Sequence, residues 1–108
     1  MENNSLDIIA NELAKEIIQY SVHLPDDDIL QIKKKLNVYA RLVPSSIRTF
    51  TQKKTRIEKM KSLIEASSNL SDCKEFLDIS NRLRYGNVDL IKEKIDSLDS
   101  HLSKNVFF

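Results

Sequence analysis

The residues whose types suit catalysis or metal binding are few, and their spacing does not fit that chemistry. His23 and His101 lie far apart in the chain, and neither belongs to a Glu-x-x-His pair or a His-Glu-x-x-His motif. Side chains at those helical spacings are the ligands of di-iron and zinc centres. Gly86 is the only glycine, whereas phosphate-binding loops need several. We therefore expect a protein that is not an enzyme and that has no metal or cofactor.

Cys73 is the only cysteine, so it can form neither an internal disulfide nor a metal cage by itself. A small side chain packed in or near the core is the usual role of such a residue. A redox or nucleophilic thiol is the alternative, because Cys73 lies near the start of an expected helix. The sequence favours the packing role.

Three consecutive aspartates at positions 26–28 suggest a divalent cation at first sight. A calcium loop, however, needs ligands at alternate positions, a glycine at the sixth position and a distal glutamate. Acids at the start of a helix bind its free N–H groups and interact favourably with its dipole. We interpret the aspartates as the N-terminal cap of a helix.

Charge is distributed unevenly along the chain, and this asymmetry is the strongest physical signal in the sequence. The formal net charge is +1, but residues 1–28 sum to −6, residues 29–61 to +9 and residues 62–108 to −2. Such a protein is steered toward an oppositely charged partner, and the charges set orientation more than affinity. The pattern predicts a regulator, inhibitor or adaptor that binds a partner protein.

The basic segment 33–61 and the residues just before Gly86 supply the candidate partner-binding side chains. Arginine and tyrosine are also the residue types that tend to anchor interfaces. The candidates are Lys33, Lys34, Arg41, Arg48, Lys53, Arg56, Lys59, Arg82, Arg84 and Tyr85. We expect their charges to face water instead of pairing with carboxylates of the chain.

Nucleic-acid binding is the alternative function for the same segment, because lysines and arginines also bind a phosphate backbone. Two helices joined at residues 43–46 would have the outline of a helix-turn-helix. The turn contains Pro44 instead of a glycine, however, and no base-reading set is evident. Membrane-surface binding would need more aromatic residues than Phe50 on the apolar face, and we expect no membrane partner.

Apolar residues recur at steps of three and four through most of the chain, which is typical of helices with one buried face. No stretch alternates with a period near two, so no strand is expected. Helices are predicted at about 5–22, 29–42, 45–67, 71–85 and from 88 onward. The prediction is an all-α fold: a single domain over residues 1–108, built as a mostly antiparallel bundle of four or five helices joined by short turns.

The boundaries between these helices follow the punctuation of the sequence. Ser5 is the expected N-cap of the first helix, and prolines 25 and 44 are expected to end the first two. The polar residues 67–69 separate the third helix from the fourth, which would end at Gly86 as a left-handed cap. Asn87 is expected to cap the last helix.

The apolar stripes predict a buried face for each helix. The expected residues are Leu6, Ile9, Leu13, Ile17 and Tyr20 on the first helix and Ile29, Ile32, Leu36, Tyr39 and Val43 on the second. For the basic helix 45–67 the expected buried residues are Ile47, Phe50, Ile57, Met60 and Ile64. For the helix 71–85 they are Phe76, Ile79 and Leu83, with Cys73, Leu77 and Tyr85 beside them.

The last helix has the most regular apolar pattern of the chain. The repeated positions are Val88, Ile91, Ile95, Leu98 and Leu102. They cover about two heptads, too few for an independent coiled coil, so they either close the core or form the seam of a homodimer. The apolar residues 105–108 either fold back onto the bundle or contact a partner. No secretory leader or long apolar run is evident, and a cytoplasmic protein is expected.

Overall fold

Four helices account for almost all of the chain that the structure describes. The structure is a computed structural model, and it describes residues 2–25 and 31–106, with side chains described over 6–25 and 31–104. The helices are α1 (Glu2–Val22), α2 (Ile32–Gln52), α3 (Arg56–Arg82) and α4 (Asp89–Val106). No strand occurs within those residues. The prediction of an all-α bundle of four or five helices is confirmed, with four helices in the described residues.

In the described residues the backbones of the helices pack closely as a ring, each against its two neighbours. The packed pairs are α1 with α2, α2 with α3, α3 with α4, and α1 with α4. Asn69 contacts Ser46 while Phe76 stacks on Tyr39, so residue numbers rise along α3 as they fall along α2. α2 and α3 are therefore antiparallel, and the contacts of Ser67 with Asp99 and of Asp78 with Lys92 show the same for α3 and α4. α2 and α4 lie at opposite corners of the bundle.

All four helices contribute to one apolar core. The largest side chains with less than 2% exposure, or close to it, are Ile17, Ile32, Leu36, Ile47, Leu63, Leu70, Leu77, Ile95, Leu98 and Leu102. Burial of each such side chain contributes about 1.5–3 kcal/mol relative to leaving it in water. The apolar stripe of the last helix is thus buried in the core of its own chain, and only Ile91 is half-exposed.

The expected boundary at Pro44 is wrong, because α2 continues through this residue to Gln52. A proline inside a helix removes one backbone hydrogen bond and costs about 3 kcal/mol relative to a good helix former. Here Val43, Pro44, Ser46 and Ile47 are all buried. Packing on both sides of the proline therefore outweighs the local penalty, and no helix-turn-helix exists at residues 43–46.

The actual break between the two basic stretches lies at residues 53–55. Thr55 is the N-cap of α3, and its hydroxyl accepts a hydrogen bond of 3.2 Å from the Glu58 N–H. Thr-x-x-Glu is the sequence pattern of a capping box, so this boundary had a recognisable signal. The helix predicted over 45–67 is in fact the end of α2 and the start of α3.

The predicted loop at residues 67–69 is also wrong, because α3 runs without interruption to Arg82. The polar side chains there bind neighbouring helices. Ser67 Oγ donates to Asp99 Oδ1 on α4 at 2.6 Å, and Asn69 Nδ2 donates to Ser46 Oγ on α2 at 3.2 Å. Polar residues that would suit a loop thus serve as contacts between helices.

The new boundaries change which face of α3 is buried. Leu63, Ala66, Leu70, Cys73 and Leu77 form the buried face, and Cys73 is a core residue as predicted. Several residues that were expected to be buried are not. Ile57 is 68% exposed, Ile64 is 58% exposed and Leu83 is 44% exposed, while Met60, Phe76 and Ile79 are half-buried.

Gly86 is not the left-handed cap of α3, since Arg84 occupies that position with φ 63°. The Tyr85 N–H donates to the Ser80 carbonyl and the Arg84 N–H to the Asn81 carbonyl, both at 3.0 Å. This pair of bonds is a Schellman motif. Gly86 is instead needed for space, because a Cβ there would lie 2.8 Å from Tyr20 Cε1.

The remaining predictions concern the starts of three helices and the apolar residues 105–108. Asn87 does cap the last helix, because its Oδ1 accepts a 2.9 Å hydrogen bond from the Asp89 N–H. Ser5 lies inside α1, which begins at Glu2, so it is not the cap. The capping role of residues 26–28 and the fate of the apolar side chains at 105–108 lie outside the described part of the chain.

Candidate functional site

Helix α2 has the highest net positive charge of the four helices. It contains five cationic residues and no acid. Lys34, Arg41 and Arg48 are exposed and recur every seven residues, so they follow one outer side of the helix at intervals of about 10.5 Å. Lys33 is half-buried beside this row, and the Lys35 Nζ lies 5.1 Å from the centre of the Phe76 ring.

The positive charge continues into the connection after α2 and the first turns of α3. Lys53, Lys54, Arg56 and Lys61 are exposed there. Lys59 is half-buried, with its Nζ 6.0 Å from the centre of the Phe50 ring. We call the exposed cations of α2 and of this segment, other than Lys35 beside the Phe76 ring, the basic surface. Its residues are Lys34, Arg41, Arg48, Lys53, Lys54, Arg56 and Lys61.

Ion pairs form mainly around α4, at the corner opposite α2. Lys74 contacts Asp96 at 2.8 Å, and two further pairs join Lys92 to Asp78 and Lys94 to Glu16. The hydrogen bond to Asp96 raises the pKa of Lys74. Each pair links α4 to α1 or α3, so the charges on this side of the bundle largely neutralise one another.

Most of the basic surface lacks this neutralisation. No carboxylate of the described residues forms an ion pair with Lys34, Arg48, Lys53, Lys54 or Lys61. Arg41 Nε donates to a neutral acceptor, Asn37 Oδ1, at 2.8 Å. The bundle is therefore electrostatically polar, with an open positive side along α2 and a paired side along α4.

The structure does not bring all the predicted site residues together. Arg82, Arg84 and Tyr85 lie at the far end of α3, about 39 Å from Arg56 along the helix axis. Arg82 and Arg84 are exposed, but Tyr85 is half-buried against the core. Lys54 and Lys61 belong to the basic surface, although they were not among the predicted site residues. Both lie in the basic segment 33–61, so the sequence contained the information needed to include them.

A groove of about 460 Å³ lies between α1 and α4. Its lining includes Ile9, Glu12, Leu13, Glu16, Lys94 and Ser97. The apolar floor is small, and Glu16 is already paired with Lys94 across the groove. Only Ile9 and Leu13 of its seven lining residues are apolar, whereas ligand pockets are lined mainly by apolar side chains, so the groove is a weaker candidate than the basic surface.

The described residues contain neither a cluster of metal-binding side chains nor an exposed thiol. No group of three or more His, Cys, Asp or Glu residues among them is placed to hold a metal ion. Burial raises the pKa of the Cys73 thiol to about 12, which keeps it protonated and poorly nucleophilic. No helix in residues 2–25 and 31–106 is both long and apolar enough to cross a membrane.

Comparison with known proteins adds no relative. No protein family, curated protein sequence or solved structure matches the chain significantly. The functional conclusion therefore rests on the geometry and charge of the basic surface.

Proposed function

We propose that this protein is a non-enzymatic docking protein that binds an acidic partner protein through the basic surface and acts as a regulator, inhibitor or adaptor. One observation carries the proposal: the exposed row of Lys34, Arg41 and Arg48 on α2 has no ion-paired carboxylate among the described residues, whereas the opposite corner holds three ion pairs. We expect the docking to take place in the cytoplasm.

The physical basis is steering and orientation. Each exposed ion pair adds only about 0–1 kcal/mol to binding. A row of cations on a rigid helix, however, raises the rate of encounter with an acidic surface and favours one orientation. Arg41 and Arg48 are suited to anchor the complex, because a guanidinium group binds a carboxylate through two parallel hydrogen bonds.

Photo-crosslinking from two matched serine positions tests the proposal. Ser45 is exposed on α2 next to the cationic row, and Ser100 is exposed on α4. A photoreactive amino acid at position 45 should crosslink a specific acidic protein in the cells that express the chain, and one at position 100 should not. The partner is then purified, and its affinity is measured against Lys53→Glu/Lys54→Glu and Arg82→Glu/Lys104→Glu, which change net charge equally.

The first double variant should weaken binding at least tenfold, and the second should change it by less than threefold. Equal crosslinking from both positions, or equal effects of both double variants, would rule out docking through the basic surface. A nucleic acid crosslinked from position 45, with a steep decrease of affinity in salt, would assign the surface to phosphate binding instead.

A further inference from the structure

We propose that the first two turns of α3 are the contact site for an acidic amphipathic helix of the partner, with Ile57, Met60 and Ile64 as the apolar contact. This inference rests on the proposed function and specifies the part of the partner that binds. The three apolar residues recur at steps of three and four, so they lie on one side of α3.

The stripe presents large apolar side chains to water. Ile57 is 68% exposed, Ile64 is 58% exposed and Met60 is half-buried. Single exposed apolar side chains are common on protein surfaces, whereas contiguous apolar stripes mark interaction sites more often. Leu63, Ala66 and Leu70 on the other side of the same helix supply its contacts with the core, so the bundle does not need the stripe.

The charges around the stripe specify the chemistry of its occupant. Residues 53–64 contain five cations and one acid, a net charge of +4. Lys53, Lys54 and Lys61 are exposed and have no ion-pair partner among the described carboxylates. An occupant that places its own apolar side chains on the isoleucines therefore gains favourable charge contacts if acidic residues flank them.

The segment is also held in place before any partner binds. The Thr55 hydroxyl caps the first turn through the Glu58 N–H, and Lys59 lies over the Phe50 ring of α2. A fixed site loses less conformational entropy on binding than a mobile one. The rigid stripe extends about 10.5 Å from Ile57 to Ile64, which matches the i, i+3/i+4 and i+7 contacts of a docked amphipathic helix.

A titration with two synthetic peptides tests this inference. The first peptide is an acidic helix of about 18 residues, long enough to be partly helical alone, with leucines at helical i, i+3, i+7 spacing. The second has the same composition with the leucines scrambled. Binding to the isotope-labelled full chain is followed by backbone amide NMR shifts at low and moderate salt.

The first peptide should bind at least tenfold more tightly than the second and should shift the amides of residues 56–64. Ile57→Ser/Ile64→Ser should remove about tenfold or more of that affinity, since each isoleucine loses most of its apolar contact area. Ile8→Ser is the matched control, because Ile8 on α1 has the same 58% exposure as Ile64, and it should leave binding unchanged.

The outcomes separate this inference from the proposed function. Equal binding of both peptides, insensitive to the isoleucine changes, would overturn the helix site but leave charge-based docking standing. Failure of both peptides at low salt would overturn both. Three other results would also overturn the helix site. The first is binding of the chain to vesicles that contain anionic lipid but not to the peptide. The other two concern Ile57→Ser/Ile64→Ser: a change in the oligomeric mass of the chain, or a loss of thermal stability.

Discussion

The Tyr20 hydroxyl lies 2.7 Å from Ser80 Oγ and joins α1 to α3 across the diagonal of the bundle. Ser80 is fully buried, and its own hydroxyl donates to the Leu77 carbonyl at 2.8 Å. Because a serine has only one O–H, the Tyr20 hydroxyl is the donor in the bond between the two side chains. This contact fixes the end of the bundle where α1 meets the turn before α4.

Removing the tyrosine hydroxyl should weaken that end without creating a cavity. Tyr20→Phe should lower the free energy of unfolding by about 1 kcal/mol, the usual net contribution of an intramolecular hydrogen bond. Tyr39→Phe is the control, because it keeps the ring stack on Phe76 at 5.8 Å, and it should change stability much less. Chemical denaturation of both variants measures the difference. Equal effects would contradict the role given to the Tyr20–Ser80 bond.

Gly86 should not tolerate a side chain while the Tyr20 ring is present. The added Cβ of Gly86→Ala would lie 2.8 Å from Tyr20 Cε1, and such overpacking costs about 1–3 kcal/mol. In a Tyr20→Ala background the same change should cost much less, because the ring is absent. A double-mutant cycle of unfolding free energies tests this coupling, and additive effects would show that the glycine serves another purpose.

Replacing Arg84 with glycine should make the fold more stable, although Arg84 is one of the predicted partner-binding residues. Its φ of 63° is left-handed, a conformation that costs an L-residue roughly 1 kcal/mol and glycine little. Arg84→Gly should therefore raise the free energy of unfolding by about 1 kcal/mol. Arg84→Ala, which removes the guanidinium but keeps a Cβ, should show no such gain. If both variants are stabilised alike, the side chain and not the backbone is responsible.

Cys73 should make the fold less stable at alkaline pH. Burial raises the thiol pKa from 9.0 to about 12 in the folded chain, so between these values the unfolded state releases a proton that the folded state keeps. The free energy of unfolding therefore falls as pH rises from 9 toward 12. Cys73→Ala should show a flatter decline over that range in urea titrations. A thiol reagent should also modify Cys73 only after unfolding, and rapid labelling of the native protein would contradict its burial.

Sequence predicted the fold class and the buried stripe of α4 well, but it misplaced boundaries that depend on tertiary packing and, with them, the buried face of α3. Pro44 and the polar residues 67–69 have strong local preferences against helix, yet buried neighbours and contacts between helices keep both regions helical. The misplaced boundary then reversed the expected burial of Ile57 and Ile64. The capping pattern at Thr55 and Glu58 was the local signal from which the break between α2 and α3 could have been predicted.

The candidate site was predicted in part, for a similar reason. A run of cations along one helix is visible in sequence, so the row at Lys34, Arg41 and Arg48 could be anticipated. Whether those cations pair with the chain's own acids depends on which helices become neighbours. The placement of α4 opposite α2 decides that question, and no local pattern encodes it. The distance of Arg82 and Arg84 from Lys53 follows from the unbroken length of α3.

The near-surface electrostatic potential, residue by residue, is the most direct test of the open basic surface. NMR relaxation of amide protons by anionic and cationic nitroxide probes measures this potential in solution. The structure predicts clearly positive values at residues 34–61 on the outer side of α2 and the start of α3, and values near zero or negative along the outer side of α4. Equal potentials on the two sides would contradict the account, because the cations of α2 would then be neutralised within the chain.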